Sequence, residues 1–223
     1  MEYNIDDFKD KIPSVVFDKL VANNITFLRP SQVKSINAGL FDSKNILVCT
    51  PTASGKTLVA EMAFLFSCLV NGSKAVYIVP LRALASEKFH SFKKAYPFLK
   101  FGLSSGDIDG DDSFLSDCDV IITTSEKFDS LIRHKAPFIS RLGCIIIDEI
   151  HLLNDVSRGP TLEVILTILK SQLRNLQFIG LSATIGNPKE LADWLNANLV
   201  FDTWRPVKLR KGILFDNVLE FDE

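Results

Sequence analysis

Nothing in this sequence gathers cysteine or histidine into a metal-ligand pattern. The four cysteines, Cys49, Cys68, Cys118 and Cys144, show no C-x-x-C spacing, and His90, His134 and His151 lie far apart. That excludes a zinc ribbon and a disulfide framework. Cysteines in apolar, β-like runs serve as small hydrophobes, so a reduced, cytoplasmic chain is expected. No apolar run nears the roughly 20 residues that span a bilayer. The acidic start, Glu2-Tyr3-Asn4-Ile5-Asp6-Asp7, does not read as a signal peptide. An excess of charge is lacking too: 25 Lys and Arg against 27 Asp and Glu leave a net −2. A strongly basic nucleic-acid binder is thereby excluded, and any nucleic acid must be held by a local face. Internal repeats and low-complexity segments are also missing.

What is present is a chain of 223 residues, 47% hydrophobic and 23% charged, long enough to bury a substantial core. Short runs rich in β-branched residues fall at 45–49, 75–79, 101–103, 120–123, 144–147 and 177–181. Segments of helical period alternate with them, around 14–22, 32–40, 56–70, 81–95, 125–133, 160–172 and 188–195. This order predicts one doubly wound α/β domain with a mainly parallel central sheet and helices on both faces. Residues 199–214 read as extended structure leading out of the domain. The Gly- and Asp-rich stretch 104–112 reads as a surface turn, because it lacks the late Glu and flanking helices of a calcium loop.

The run Thr50-Pro51-Thr52-Ala53-Ser54-Gly55-Lys56-Thr57 joins a predicted strand to a predicted helix. Backbone N–H groups at a helix N-terminus point at an anion, and the helix dipole favours its charge. Gly55 lets the backbone approach phosphates, Lys56 is placed to neutralise their outer oxygens, and Thr57 offers a hydroxyl to magnesium. The strict pattern opens with Gly, where this chain has Thr50. Downstream, the strand ending at Ile147 runs straight into Asp148 and Glu149. Ligands bind at the carboxyl ends of strands in such sheets, so the acids share an edge with the loop. Asp148 suits holding the magnesium through its water, and Glu149 suits polarising an attacking water as general base. Acids opening a helix for dipole reasons are the plainer reading of that pair alone.

With these residues in place, Asp148-Glu149-Ile150-His151 resembles the D-E-x-H box of superfamily-two helicases, and Ser182-Ala183-Thr184 resembles their S-A-T motif. These families accept Thr at the first loop position. Phe27-Leu28-Arg29-Pro30-Ser31-Gln32 looks like the glutamine motif, with Gln32 reading the adenine edge. Pro80-Leu81-Arg82-Ala83-Leu84-Ala85 is similar to the motif after the second core strand that grips a nucleic-acid backbone. Arg158-Gly159-Pro160-Thr161-Leu162-Glu163, the run 182–195 and Trp204-Arg205-Pro206-Val207 look like the superkiller-like branch, nearest the archaeal repair helicases related to Holliday-junction migration.

The resemblance covers about residues 27–206 and implies a RecA-like domain using ATP and Mg2+. His151, Ser182 and Thr184 would couple hydrolysis to strand separation. Arg82, Thr124, Ser125, Lys127 and Arg158 would grip a nucleic-acid backbone, with an exposed charge or, for Ser125 beside a Glu, a helix cap as the plainer alternatives. Implied partners are single-stranded or branched DNA and a second RecA-like domain of the same polypeptide, which supplies an arginine finger. The implied layout is a motor domain at 1–204, with an N-terminal helical extension at 1–26 and the glutamine motif at 27–32. Residues 205–223 would begin a linker. The expected setting is cytoplasmic and nucleoid-associated, off the membrane, with the chain monomeric. Still open are an RNA helicase of the same branch, a small-molecule phosphate-loop kinase and a nucleotide-binding scaffold.

Overall fold

The computed structural model describes residues 2–106, 112–183, 185–207, 212–215 and 218–221. Seven strands form one sheet: β3 (Ile46–Cys49), β4 (Lys74–Val79), β5 (Phe101–Ser104), β6 (Val120–Thr124), β7 (Leu142–Ile147), β8 (Gln177–Ser182) and β9 (Asn198–Phe201). Their order is β5-β6-β4-β7-β8-β3-β9, and every neighbouring pair is parallel. Two short strands, β1 (Tyr3–Asn4) and β2 (Phe27–Leu28), pair antiparallel apart from it. So do β10 (Gly212–Phe215) and β11 (Val218–Phe221).

Alternate strand residues sort to opposite faces, and the inner strands β3, β4, β6, β7 and β8 are buried on both sides. Ile46, Val48, Tyr77 and Ile146 face one core with α1 (Ser14–Ala22), α2 (Pro30–Asn37), α3 (Lys56–Leu69) and α4 (Arg82–Ala95). Leu47, Cys49, Ile78 and Ile147 face the other, with α5 (Ser125–Arg133), α6 (Gly159–Gln172) and α7 (Pro188–Leu195). Each aliphatic side chain so buried contributes about 1.5–3 kcal/mol. Connections running one way across the sheet carry helices on one face, and those returning carry them on the other, as right-handed crossovers require. The doubly wound, three-layer expectation is borne out. All four cysteines are free, and burial pushes the Cys49 thiol up to about 11, against the pull of Ser182 and Lys56.

One expectation is corrected. Asn198–Phe201 does not lead out of the domain but forms β9, the edge strand beside β3. Only Val200 in it is buried, so it carries too little of the apolar, β-branched signal that marks the inner strands. Among the described residues no helix is long and apolar enough to cross a membrane.

Because every strand of the sheet runs the same way, their C-terminal ends share one edge. The segments after β3, β4, β6, β7 and β8 therefore meet there, and with the strand ends Thr124 and Ser182 they carry the described sequence-predicted site residues other than Gln32.

Candidate active site

The phosphate loop leaves β3 at Cys49 and enters α3 at Lys56. Ala53 (φ 63°) and Gly55 (φ 92°) both sit in the left-handed region and bend the loop back on itself. At Gly55 a Cβ would lie 2.4 Å from Gln32 Nε2, so the position has no room for a side chain. Thr50 is fully buried, and its hydroxyl pairs with that of Ser54 at 2.7 Å, tying the start of the loop to its middle. That bond gives the threonine a reason to stand where the strict pattern has glycine.

Three consecutive loop carbonyls are held from outside by the segment before and at the start of α2. Arg29 Nη1 donates to Ala53 O (2.6 Å), Ser31 Oγ to Ser54 O (3.1 Å) and Gln32 Nε2 to Gly55 O (3.0 Å). In a trans peptide the N–H points opposite the C=O. Fixing the Ser54 and Gly55 carbonyls therefore aims the N–H groups of Gly55 and Lys56 away from α2. Gln32, expected at an adenine edge, is 3% exposed, and its Oε1 also accepts from the Arg29 N–H at 2.7 Å. Beside it opens a cleft of about 430 Å³ that also touches Phe27, Thr57 and Glu61.

The same segment holds the chain after β9. Lys34 pairs with Asp202 at 2.9 Å, Asp202 accepts from the Trp204 N–H, and the Arg29 guanidinium lies 5.7 Å from the Trp204 ring centroid.

Lys56 donates to the carbonyls of Thr50 (2.8 Å) and Pro51 (3.1 Å). Burial lowers its pKa, while Glu149 and Asp148 pull it back up, so both acids lie within electrostatic reach of the ammonium. Thr57 Oγ1 accepts from Lys88 Nζ of α4 at 3.3 Å.

Asp148 extends the ladder beyond β7, its N–H bonded to Ile78 O. Its Oδ2 accepts from the Tyr77 hydroxyl at 2.8 Å and its Oδ1 from the Glu149 N–H at 3.1 Å. Burial and the adjoining carboxylate push the Tyr77 phenol well above its usual range. Glu149 adopts φ 52°, a left-handed conformation that costs an ordinary residue about 1–3 kcal/mol. That turn brings its Oε2 to 3.3 Å from His151 Nδ1, and the same nitrogen lies 3.5 Å from Ser182 Oγ. The predicted coupling residues His151 and Ser182 are thus brought together; Thr184 lies outside the described residues.

One carboxylate and one hydroxyl beside a phosphate loop are the donors magnesium takes when substrate phosphates and water complete its shell. Asp148 and Thr57 fit that ion. Among the described residues no group of three His, Cys, Asp or Glu forms a separate metal cage.

Of the backbone-gripping candidates, Arg82, Thr124, Lys127 and Arg158 line one cleft of about 340 Å³. Ser125 lies in an adjoining crevice with Asp148, Glu149 and Arg158, so Arg158 borders both spaces. Thr124 caps α5 by accepting from the Lys127 N–H at 3.4 Å. The Lys127 ammonium is buried and paired with Asp112 at 2.7 Å, and Arg158 Nη1 reaches Pro80 O at 3.3 Å.

The profile of the DEAD/DEAH box helicases matches residues 29–191. The chain belongs to that family. Across 202 residues this DEAD/DEAH box chain is 55% identical to the ATP-dependent DNA helicase Hel308 of Methanococcus vannielii, covering 87% of this chain and 26% of that protein. With the Hel308 of Methanocaldococcus jannaschii it shares 51% over 221 residues, 95% of this chain and 18% of the other. A DNA-bound crystal structure of the DUF1998 helicase MrfA superposes with a TM-score of 0.74 at 26% identity, over 87% of this chain and 30% of that one. The DEAD/DEAH box chain thus spans only about a fifth to a third of the length of these proteins. The expected family and RecA-like fold are both borne out, and membership implies use of ATP. Arg29, Ser31, Tyr77 and Lys88 are site residues that the sequence reading did not assign a role.

Proposed function

We propose that this chain is the first RecA-like motor domain of an ATP-dependent DNA helicase that moves 3′ to 5′ on single-stranded DNA and acts on stalled forks or recombination intermediates. Residues 1–204 are the domain, and 205–223 begin the linker to a second RecA-like domain. The observation that carries the reading is the phosphate loop after β3 and the Asp148-Glu149 pair after β7 at one edge of the parallel sheet, with Arg158 bordering both the acid crevice and the cleft at Arg82.

The chain's own residues divide the work. The N–H groups of Gly55 and Lys56 and the Lys56 ammonium receive phosphate oxygens, and the ammonium exchanges the loop carbonyls for them. Bound Mg2+, held by Thr57 and Asp148, would neutralise charge growing on the phosphates. Glu149, half exposed beside His151, takes the proton of the attacking water. His151 relays a change at Glu149 to Ser182 at the end of β8. Arg82, Thr124, Ser125 and Arg158 hold phosphates of the strand without reading sequence, with Lys127 held back by Asp112. An arginine from the second domain completes the charge clamp. DNA rather than RNA is favoured by the Hel308 relatives.

The test is titration of a fluorescent ATP analogue with Mg2+ into wild-type chain and Lys56→Ala. Wild type binds and hydrolyses slowly without unwinding, and the variant loses binding; equal binding by both refutes the site. In the longer protein, ATPase stimulated by single-stranded DNA beyond RNA is expected, and the reverse order would make it an RNA helicase.

A further inference from the structure

We propose that Tyr77 is a positioning residue of the nucleotide site, whose hydroxyl sets the orientation of Asp148, and through it that of Glu149, for Mg2+-nucleotide. The inference rests on the nucleotide-site reading above and adds to it a residue of β4 that lies in no helicase motif of the sequence.

The register explains how a strand residue reaches the acid box. Tyr77 pairs with Ile146 of the neighbouring parallel strand, and side chains two apart share a face. Asp148 therefore projects to the same side of the sheet as Ile146 and Tyr77. The Tyr77 ring is fully buried and packs edge-on against Phe92 at 5.3 Å. An aliphatic residue or phenylalanine would fill that core without the cost of burying a hydroxyl. The hydroxyl that is buried there donates to Asp148 Oδ2 at 2.8 Å.

The consequence lies in the count of donors. Each carboxylate oxygen has two lone pairs. On Asp148, Oδ2 gives one to Tyr77 and Oδ1 gives one to the Glu149 N–H at 3.1 Å. Two donors, one from a β4 side chain and one from the backbone just after β7, fix the carboxylate plane and leave one lone pair on each oxygen for an ion or its water. The second donor belongs to Glu149, whose left-handed backbone directs its side chain toward His151. A carboxylate free to rotate would release that N–H, so the phenol steadies both acids at once. Outer partners of this kind orient the groups that touch a metal and are felt in its affinity.

The experiment compares wild-type chain with Tyr77→Phe, which removes one oxygen and keeps the ring. Binding of a fluorescent ATP analogue is followed against Mg2+ concentration and again in EDTA. The expected result is a rise of about tenfold in the Mg2+ concentration for half-saturation, with EDTA-state affinity unchanged. A rise of less than about threefold, or a fall, overturns the proposal. In an Asp148→Asn background Tyr77→Phe is expected to have no further effect on the Mg2+ requirement, and an additive effect overturns the proposal too. Phe92→Leu loosens the same packing without touching the hydroxyl; it should lower the melting temperature and leave the Mg2+ requirement alone. An equal shift in that variant would make the effect one of packing and defeat the assignment. If the wild-type chain shows no Mg2+-dependent binding at all, the nucleotide-site reading itself fails, which is a different result from an unaffected Tyr77→Phe.

Discussion

Replacing Ser31 with alanine tests the brace on the phosphate loop without touching the loop itself. Ser31 is 1% exposed, and its hydroxyl donates to Ser54 O at 3.1 Å. Alanine leaves that carbonyl facing a small buried gap. An acceptor stranded in this way costs about 1–3 kcal/mol. The loop can recover part of the loss by rotating the Ser54–Gly55 peptide toward solvent. Rotation turns the Gly55 N–H off the direction that the brace gives it, and a phosphate then loses a donor. Either way the nucleotide-competent loop is weakened by about 1.5 kcal/mol, a roughly tenfold loss of ATP affinity. The assay is titration of a fluorescent ATP analogue at saturating Mg2+, repeated with a GTP analogue, alongside thermal melting. Because Ser31 bonds the loop, both nucleotides should lose affinity by the same factor. An affinity within about twofold of wild type, with only the melting temperature lowered, would refute the claim that the brace aims the loop.

Other outcomes follow from single contacts. Glu149→Gln keeps the side chain's shape and removes the base, so single-turnover ATP hydrolysis should slow by about 10²–10⁴ with ATP binding retained. Comparable rates in the two proteins would take the base role from Glu149. A Cβ at Gly159 would sit 2.2 Å from the backbone oxygen of Leu153, which cannot yield as a side chain can. Gly159→Ala should therefore lose about 2 kcal/mol, a drop of roughly 4–8 °C in melting temperature. Asp155 accepts from Ser157 N, Ser157 Oγ and Arg158 N, which lowers its pKa from 3.8 to about 2. Its stabilising contribution is present in full above 3.8 and is lost as pH falls through about 2. Melting curves across that window should converge for wild type and Asp155→Asn at the acid end, and parallel curves would show that Asp155 contributes nothing.

The residues legible in the sequence are those whose chemistry is local. Gly55, Lys56 and Thr57 stand in one turn, and Asp148 and Glu149 are adjacent, so a strand ending in either is visible from the chain alone. The bracing contacts are not local. Arg29 meets Ala53 across 24 residues and Tyr77 meets Asp148 across 71, and nothing in the spacing of either pair announces the bond. The inner strands were legible because burial on both faces demands an unbroken apolar run. β9 was not, because an edge position asks burial of Val200 alone. Lys127 shows the opposite failing, since a cation in a motif reads as a phosphate contact until Asp112 is found 2.7 Å from it.

Arg29 has a mechanical consequence. Its guanidinium donates to the Ala53 carbonyl and lies over the Trp204 ring, 5.7 Å from its centroid. A single rigid, planar group is therefore the hinge pin between the phosphate loop and the stretch of chain that leaves β9. A planar fork cannot follow both neighbours if they part: tilting to keep the carbonyl lifts it off the indole, and sliding with the indole breaks the bond to the loop. The loop and the outgoing chain are geared together, with one side chain as the tooth.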